Sequence, residues 1–388
     1  MSSDHACSIC REPGLLELEG FGALPRVTSD TKPFPAGGRL AVCRACAAVQ
    51  KIPDDRWHEE IAAIYGAYDM YAQSGGSEQR VFDPVGGSTS RSGRLLGQAL
   101  RSIELPETGC LLDVGCGTGA TLEAFAERIS GWRLFGQDLD GRYRERLEGI
   151  AGFERLVHRT LDPELPRCDL VTLIHSLEHI PDPRAALLEI GSVLRPSGWL
   201  LAQVPDAAVS PFDLLVADHL CHFDACVLAH VAESAGYRVE SCGGGWVSKE
   251  LSLLARPGEP SGRPGGARGE ARVKARVESQ IAWLRGVLDA ARASARSGRP
   301  FAIFGTAIAG TWLLGALDGV VDLLVDEDRS RVGREHCGCP IVAPRDVPAG
   351  TQVYVPLIPP VARAVVDRYA HLPVRWITPP PLAPGRGA

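Results

Sequence analysis

Between about residues 105 and 256, short apolar runs alternate with amphipathic stretches, the pattern of strands joined by crossover helices in a mostly parallel sheet. Cys110–Val114, Trp132–Gln137, Arg155–Thr160, Asp169–His175 and Trp199–Val204 read as successive strands. A turn is expected at Arg195-Pro196-Ser197-Gly198, before the fifth. Farther on, Val273, Val277, Ile281, Leu284, Leu288 and Ala291 recur at steps of three and four, which predicts a helix with one apolar stripe. A strand-and-helix pattern then resumes. Phe301–Phe304 leads into a turn at Gly305, a helix follows to about Leu317, and a second strand, Val320–Val325, ends in Asp326. Phe301–Leu317 carries no charge, but Gly305, Gly310 and Gly315 punctuate it and acidic residues follow at once. A buried strand and helix explain it better than a membrane span.

These patterns divide the chain into a small N-terminal module (1–55), a helical lid or connector (56–104) and a central βαβ unit (105–256). A Gly- and Pro-rich linker (257–270), a helix with a second βαβ unit (271–377) and a tail expected to be disordered (378–388) complete it. Tyr65, Tyr68 and Tyr71 recur at steps of three in the connector. They form either a core stripe or a lid whose hydroxyls reach donor or substrate.

Composition narrows the function classes. Of 388 residues, 45% are hydrophobic and 23% charged, enough for a sizeable core. Lys plus Arg number 41 against 47 for Asp plus Glu, a formal charge of −6, which argues against a nucleic-acid partner. Met1–Cys10 lacks the apolar segment of a secretory signal, so the expected compartment is the cytoplasm, with no membrane association. The 12 cysteines are then better read as thiols than as a disulfide framework. Cys7, Cys10, Cys43 and Cys46 form a C-x2-C-x32-C-x2-C set. Two such knuckles complete a tetrahedral site for Zn2+, and four thiolates leave no open position, so the metal would be structural.

The candidate chemistry begins at Asp113-Val114-Gly115-Cys116-Gly117-Thr118-Gly119, where a strand turns into a helix through three glycines. Glycines permit positive φ and close backbone approach, and the helix start offers unpaired N–H groups to a ligand. A dinucleotide or an adenosyl group would suit this loop equally well. Asp138 closes the next strand, 19 residues after Gly119, where a carboxylate accepts from both ribose hydroxyls. With His175 through Pro183 and Leu194-Arg195-Pro196-Ser197-Gly198 added in order, the chain resembles class I S-adenosylmethionine-dependent methyltransferases. The resemblance implies an α/β fold with a Rossmann-like seven-stranded methyltransferase sheet. It also implies donor contacts from Asp113, Gly115, Gly117, Gly119, Asp138, Leu161 (beside the adenine) and His175.

Methyl transfer needs a nucleophile that is aligned, desolvated and, when weak, deprotonated. His219 follows the fifth strand within Asp218-His219-Leu220-Cys221-His222-Phe223, and His179 follows the fourth. Both face the carboxyl edge where such sheets bind ligands, with Asp218 placed to orient an imidazole. Together with the cysteine module and the second βαβ unit, these features are similar to the three-domain, zinc-containing deoxysugar (nucleotide-sugar) C-methyltransferases. That resemblance implies an N-terminal zinc-binding module and a C-terminal Rossmann-like α/β domain, a monomer or homodimer, and a sugar-like small-molecule acceptor. Its catalytic residues would be His219, His179 and Asp218, and the lid reading of the tyrosine stripe adds Tyr71 as a candidate. The chain departs from the family pattern where Asp218 replaces a glutamate and where Leu215-Val216-Ala217 stands in place of a tyrosine. An RNA or DNA methyltransferase and a non-catalytic methyltransferase-fold binding protein are the competing readings. Ile174-His175-Ser176-Leu177-Glu178-His179 is not the Asn/Asp-Pro-Pro-aromatic motif that grips a flipped base.

Overall fold

The computed structural model describes residues 2–3, 5–70, 78, 80–82, 88–162, 164–260 and 269–382. Tyr71, most of the polar loop after it, part of the 257–270 linker and the end of the tail lie outside the described residues.

The N-terminal unit contributes strands β1 (Leu15–Glu17), β2 (Leu40–Cys43) and β3 (Val49–Lys51). Helix α1 (Asp55–Gly66) follows, capped by the Asp54 carboxylate on the Trp57 N–H. Helix α2 (Arg91–Ser102) leads into the central sheet. There the elements run β4 (Cys110–Val114), α3 (Ala120–Ala126), β5 (Arg133–Asp138), β6 (Phe153–His158) and β7 (Cys168–Ile174). They continue with α4 (Pro183–Val193), β8 (Leu194–Pro205), β9 (Cys221–His222), α5 (Ala225–Ser234), β10 (Tyr237–Gly243) and β11 (Glu250–Pro257). Seven of these strands pair in the order β6-β5-β4-β7-β8-β11-β10, with β11 antiparallel to both of its neighbours.

Every residue of β4 is buried, as its unbroken apolar run requires of a strand covered on both faces. Its successor β5 lies on one side and β7 on the other. The sheet therefore reverses its winding at the carboxyl ends of β4 and β7, and a crevice opens there. The third strand sits two residues earlier than its apolar run predicts, leaving Thr160 and Leu161 beyond its end. The turn expected at Arg195–Gly198 is instead absorbed into β8 as an irregularity: Cys168 pairs with Leu194 and Leu170 with Trp199, so the residues between bulge outward.

Helix α6 (Glu270–Ala295) buries Val273, Val277, Ile281, Leu284, Leu288 and Ala291, the stripe read from the sequence. The C-terminal unit follows with β12 (Phe301–Phe304), α7 (Ile308–Ala316), β13 (Leu323–Val325), β14 (Cys339–Val342), β15 (Gln352–Tyr354), α8 (Pro359–Tyr369) and β16 (Arg375–Ile377). These strands pair as β14-β13-β12-β15-β16, a parallel sheet with a second winding reversal at β12. Among the described residues, no helix is long and apolar enough to cross a membrane.

The N-terminal unit is stitched to both of the others. Strand β9, from the loop after β8, pairs with β3 and completes its sheet. Cys7, Leu15 and Trp57 share one apolar core with the central sheet. Phe21, Leu24 and Leu40 share another with α6, α7 and Phe212.

Candidate active site

The glycine loop requires glycine for both conformation and space. Gly115, Gly117 and Gly119 have φ of +76°, +49° and +83°, a region that L side chains rarely adopt. A Cβ at Gly115 would stand 2.6 Å from the Ser176 Cβ, and one at Gly117 would stand 2.8 Å from the Met70 methyl carbon. The Gly117 N–H donates to the Asp138 carboxylate (2.8 Å), and the Asp140 N–H donates to its other oxygen (3.0 Å). Asp138 is thereby fixed at the mouth of the loop.

Asp113 is buried beneath the loop and accepts from the Thr172 hydroxyl at 2.6 Å. Burial raises its pKa to about 7. His175, itself at φ +54°, stands between Glu178 (3.3 Å) and Glu250 (3.0 Å). Burial and Arg91 oppose its protonation, yet the two carboxylates prevail and raise its pKa to about 9. Leu161 packs at the edge of the sheet's core, gives its N–H to Glu189, and is not part of the cavity wall described below.

Beyond the loop, two buried imidazoles share one carboxylate, and a third, half-buried ring packs against them. Asp213 lies in the short helix Pro211–Leu215 and binds His219 Nδ1 at 2.7 Å through one oxygen and His222 Nδ1 at 2.6 Å through the other. Burial alone would raise the Asp213 pKa, but the two rings hold it well below the usual carboxylate range. Burial disfavours charge on His219, yet the Asp213 carboxylate outweighs it and lifts the imidazole above its ordinary value. His222 faces the opposite balance. Burial, with the Lys51 ammonium 2.9 Å from Nε2, brings it down to about 4. Lys51 comes from β3, donates to the Leu214 carbonyl at 2.6 Å, and is lowered by burial to about 7.

His179 stacks edge-on against His219, ring centres 4.7 Å apart. Its Nδ1 lies 3.0 Å from the Asp218 carbonyl, 3.2 Å from the Tyr65 hydroxyl and 3.5 Å from the Asp218 carboxylate. An Nδ1–H tautomer satisfies these acceptors and leaves Nε2 as the basic nitrogen. Burial and the His219 ring push His179 below its ordinary pKa. Asp218 is held in turn by the Ser29 N–H (2.8 Å) and the Ser29 hydroxyl.

One cavity of about 540 Å³ connects these parts. Its wall includes Gly115, Thr118, His175, His179, Asp213 and His219, and on the far side Gly305, Ile308 and Arg368 of the C-terminal unit. Gly305 has φ +90°, and a Cβ on Gly310 would lie 1.9 Å from the Gly305 carbonyl oxygen, so helix α7 packs directly on that turn.

The structure thus brings His179, His219 and Asp218 together beside the glycine loop, while Tyr71 lies outside the described residues. Sequence reasoning assigned the orienting carboxylate to Asp218 and named Tyr65 only within the tyrosine stripe, and it missed Asp213 and Lys51 as members of the cluster. Asp213 had a signal, the spacing Asp213-x5-His219-x2-His222. Lys51 had none, because 171 positions separate it from His222.

The four N-terminal cysteines also converge. Cys7 and Cys46 sulfurs are 3.7 Å apart, Cys10 and Cys43 sulfurs 3.6 Å, and all four lie within 4.8 Å of one another.

Residues 91–242 match the family model described as a methyltransferase domain. A ubiquinone biosynthesis O-methyltransferase of Idiomarina loihiensis is 36% identical over 118 residues, 28% of this chain and 49% of that protein. A trans-aconitate 2-methyltransferase of Variovorax paradoxus is 30% identical over 118 residues, 29% of this chain and 45% of that protein. The chain therefore spans less than half the length of these relatives. A solved S-adenosylmethionine-dependent methyltransferase from Aquifex aeolicus shares 18% identity, covering 51% of this chain and 98% of that one, at a TM-score of 0.38. The family match falls on the strands and the glycine loop that form one wall of the cavity, so residues 91–242 are similar to a methyltransferase domain.

Proposed function

We propose that the protein transfers a methyl group from S-adenosylmethionine to a small sugar-like acceptor, a nucleotide-linked ketosugar or glycan precursor, with His219 as the base. The observation that carries this reading is the single cavity running from the glycine loop to the His179–His219 pair and on to the Gly305 turn. The loop fits the donor, since Gly115, Cys116 and Thr118 line the cavity and the loop's glycines follow a left-handed backbone path that side chains rarely adopt. Bound there, S-adenosylmethionine supplies an electrophilic methyl group on a sulfonium.

The chain's own residues do the rest. Asp213 takes the Nδ1–H of His219, so Nε2 presents its lone pair to the cavity. His219 accepts a proton from the carbon next to the acceptor's carbonyl, and Asp213 stabilises the resulting imidazolium, as the third member of a catalytic triad does. His179, kept neutral, lines the same space as a hydrogen-bond partner for acceptor oxygens. The burial of His219 limits water at the proton transfer. O-methylation is a second reading, favoured by the ubiquinone O-methyltransferase among the relatives, and the same base would then deprotonate a hydroxyl.

The four cysteines would hold a structural zinc ion. A tetrahedral ion with Zn–S bonds of about 2.3 Å places sulfurs about 3.8 Å apart. The closest pairs stand at 3.6 and 3.7 Å. No fifth donor is needed, so this site stabilises the N-terminal unit that supplies Lys51 and Ser29.

Calorimetry with S-adenosylhomocysteine, followed by product release with keto-sugar nucleotides, small phenols and bulk RNA, tests the proposal. Absence of S-adenosylhomocysteine binding sinks it. Turnover confined to RNA would replace the acceptor.

A further inference from the structure

Lys249 sits in the turn between β10 and β11 and contributes to the wall of the same cavity. Two features set it apart. Its backbone is left-handed, φ +66°, although the same connection already holds Gly243, Gly244 and Gly245. A lysine at such a position is strained where glycine would not be, and strain of this kind concentrates at functional sites. The turn is also held firmly. The Glu250 N–H donates to the Val247 carbonyl (3.4 Å), and the Lys249 carbonyl accepts from the Asp206 N–H (3.0 Å).

The second feature is electrostatic. Other cations of the wall are already compensated: Arg91 faces Glu78 and Glu250, Arg331 faces Asp326 and Asp328, and Arg368 faces Glu327. The Lys249 ammonium makes no ion pair or hydrogen bond among the described residues, and burial lowers its pKa with Glu250 opposing. The neighbouring Glu250 carboxylate is committed to His175 at 3.0 Å. A partly buried, uncompensated ammonium facing a cavity is costly unless an anion enters with it.

We propose that Lys249 is the anion-recognition residue of the acceptor site, pairing with a phosphate or carboxylate carried by the molecule to be methylated. The inference rests on the methyltransferase reading above and narrows its acceptors to anionic ones. Lys249 acts in specificity, and proton transfer stays with His219.

The full-length protein, saturated with S-adenosylhomocysteine, is titrated with inorganic diphosphate and separately with malonate. Wild type, Lys249→Gln and Lys249→Arg are compared, and the S-adenosylhomocysteine affinity of each is measured first. Binding of diphosphate that weakens about tenfold or more in Lys249→Gln and is largely restored in Lys249→Arg is expected, and it identifies a phosphate. The same pattern with malonate identifies a carboxylate. Binding of neither anion, or equal binding by Lys249→Gln, overturns the proposal. A wild-type protein that fails to bind S-adenosylhomocysteine overturns the methyltransferase reading instead.

A measurement on unmodified protein guards against misfolding of the variants. Acetic anhydride labelling of Lys249, mapped by mass spectrometry, should be suppressed by the anion that binds. Labelling unaffected by either anion counts equally against the proposal.

Discussion

Replacing Asp213 with Asn tests the centre of the proposed mechanism, because one carboxylate supports two buried rings. The bonds to His219 (2.7 Å) and His222 (2.6 Å) are short and charge-assisted. Each such bond contributes roughly 1.5–3 kcal/mol. An Asn at the site accepts from one ring with its oxygen and presents an N–H₂ to the other, so one of the two pairings is lost or inverted. Asp213→Asn should therefore cost about 2–4 kcal/mol of stability. The electrostatic consequence is more specific. His219 is raised chiefly because Asp213 overcomes burial, with Glu178 and Asp218 adding to it, so in the variant the pKa falls from its raised value. In the wild type the His219 pairing stabilises fully below the unfolded pKa and is lost as pH rises through the raised folded value. That pH dependence should be markedly flattened in Asp213→Asn. The assay is histidine-selective ¹⁵N NMR, with 10 histidines to assign, and it reads both the tautomer and the titration of His219 without needing an acceptor. Once an acceptor is in hand, loss of the supporting bond should lower kcat by roughly 10- to 150-fold with little change in S-adenosylhomocysteine affinity. An unchanged His219 titration together with an unchanged urea midpoint would refute the argument.

Three further outcomes are expected. Gly117→Ala forces a left-handed alanine at a cost of about 1 kcal/mol and presses a methyl group against the Met70 side chain, 2.8 Å away, which distorts the donor loop. Calorimetry should show S-adenosylhomocysteine affinity reduced about tenfold or more, and wild-type affinity would mean the donor sits elsewhere. Chelation by 1,10-phenanthroline should release one zinc ion per chain in a colorimetric assay and lower the melting temperature, while Cys10→Ser should bind substoichiometric metal. His175, raised to about 9, contributes stability that is complete below its ordinary pKa of about 6.5 and lost as pH climbs through about 9. The urea midpoint should therefore fall between pH 7 and 10, by an amount on the order of 3 kcal/mol, and Glu250→Gln should flatten that limb.

Much of the central sheet was readable because its signals are local. A β4 with no polar residue before Asp113, a turn built from Gly115, Gly117 and Gly119, and an acidic residue closing β5 each follow from a few adjacent positions. The cysteine knuckles and the apolar stripe of α6 are equally local. Boundaries were misplaced at β6, where only Leu156 and Val157 of Arg155–Thr160 are apolar and the polar residues around them mark no end, at the start of β13, and within β8, where a bulge hides inside the strand.

The sequence by itself determined the order of elements, the glycine loop and the candidate bases, because hydrophobic period and glycine conformation act over a few residues. Only the tertiary structure decided which carboxylate supports His219. Asp213 comes from a short helix whose position depends on Phe212 packing into a core shared with α6 and α7. It also decided that Lys51, from the N-terminal sheet, lies against His222 through the pairing of β3 with β9. Charges separated by 171 positions meet only after three units have packed, and their protonation is set by burial that no local pattern records.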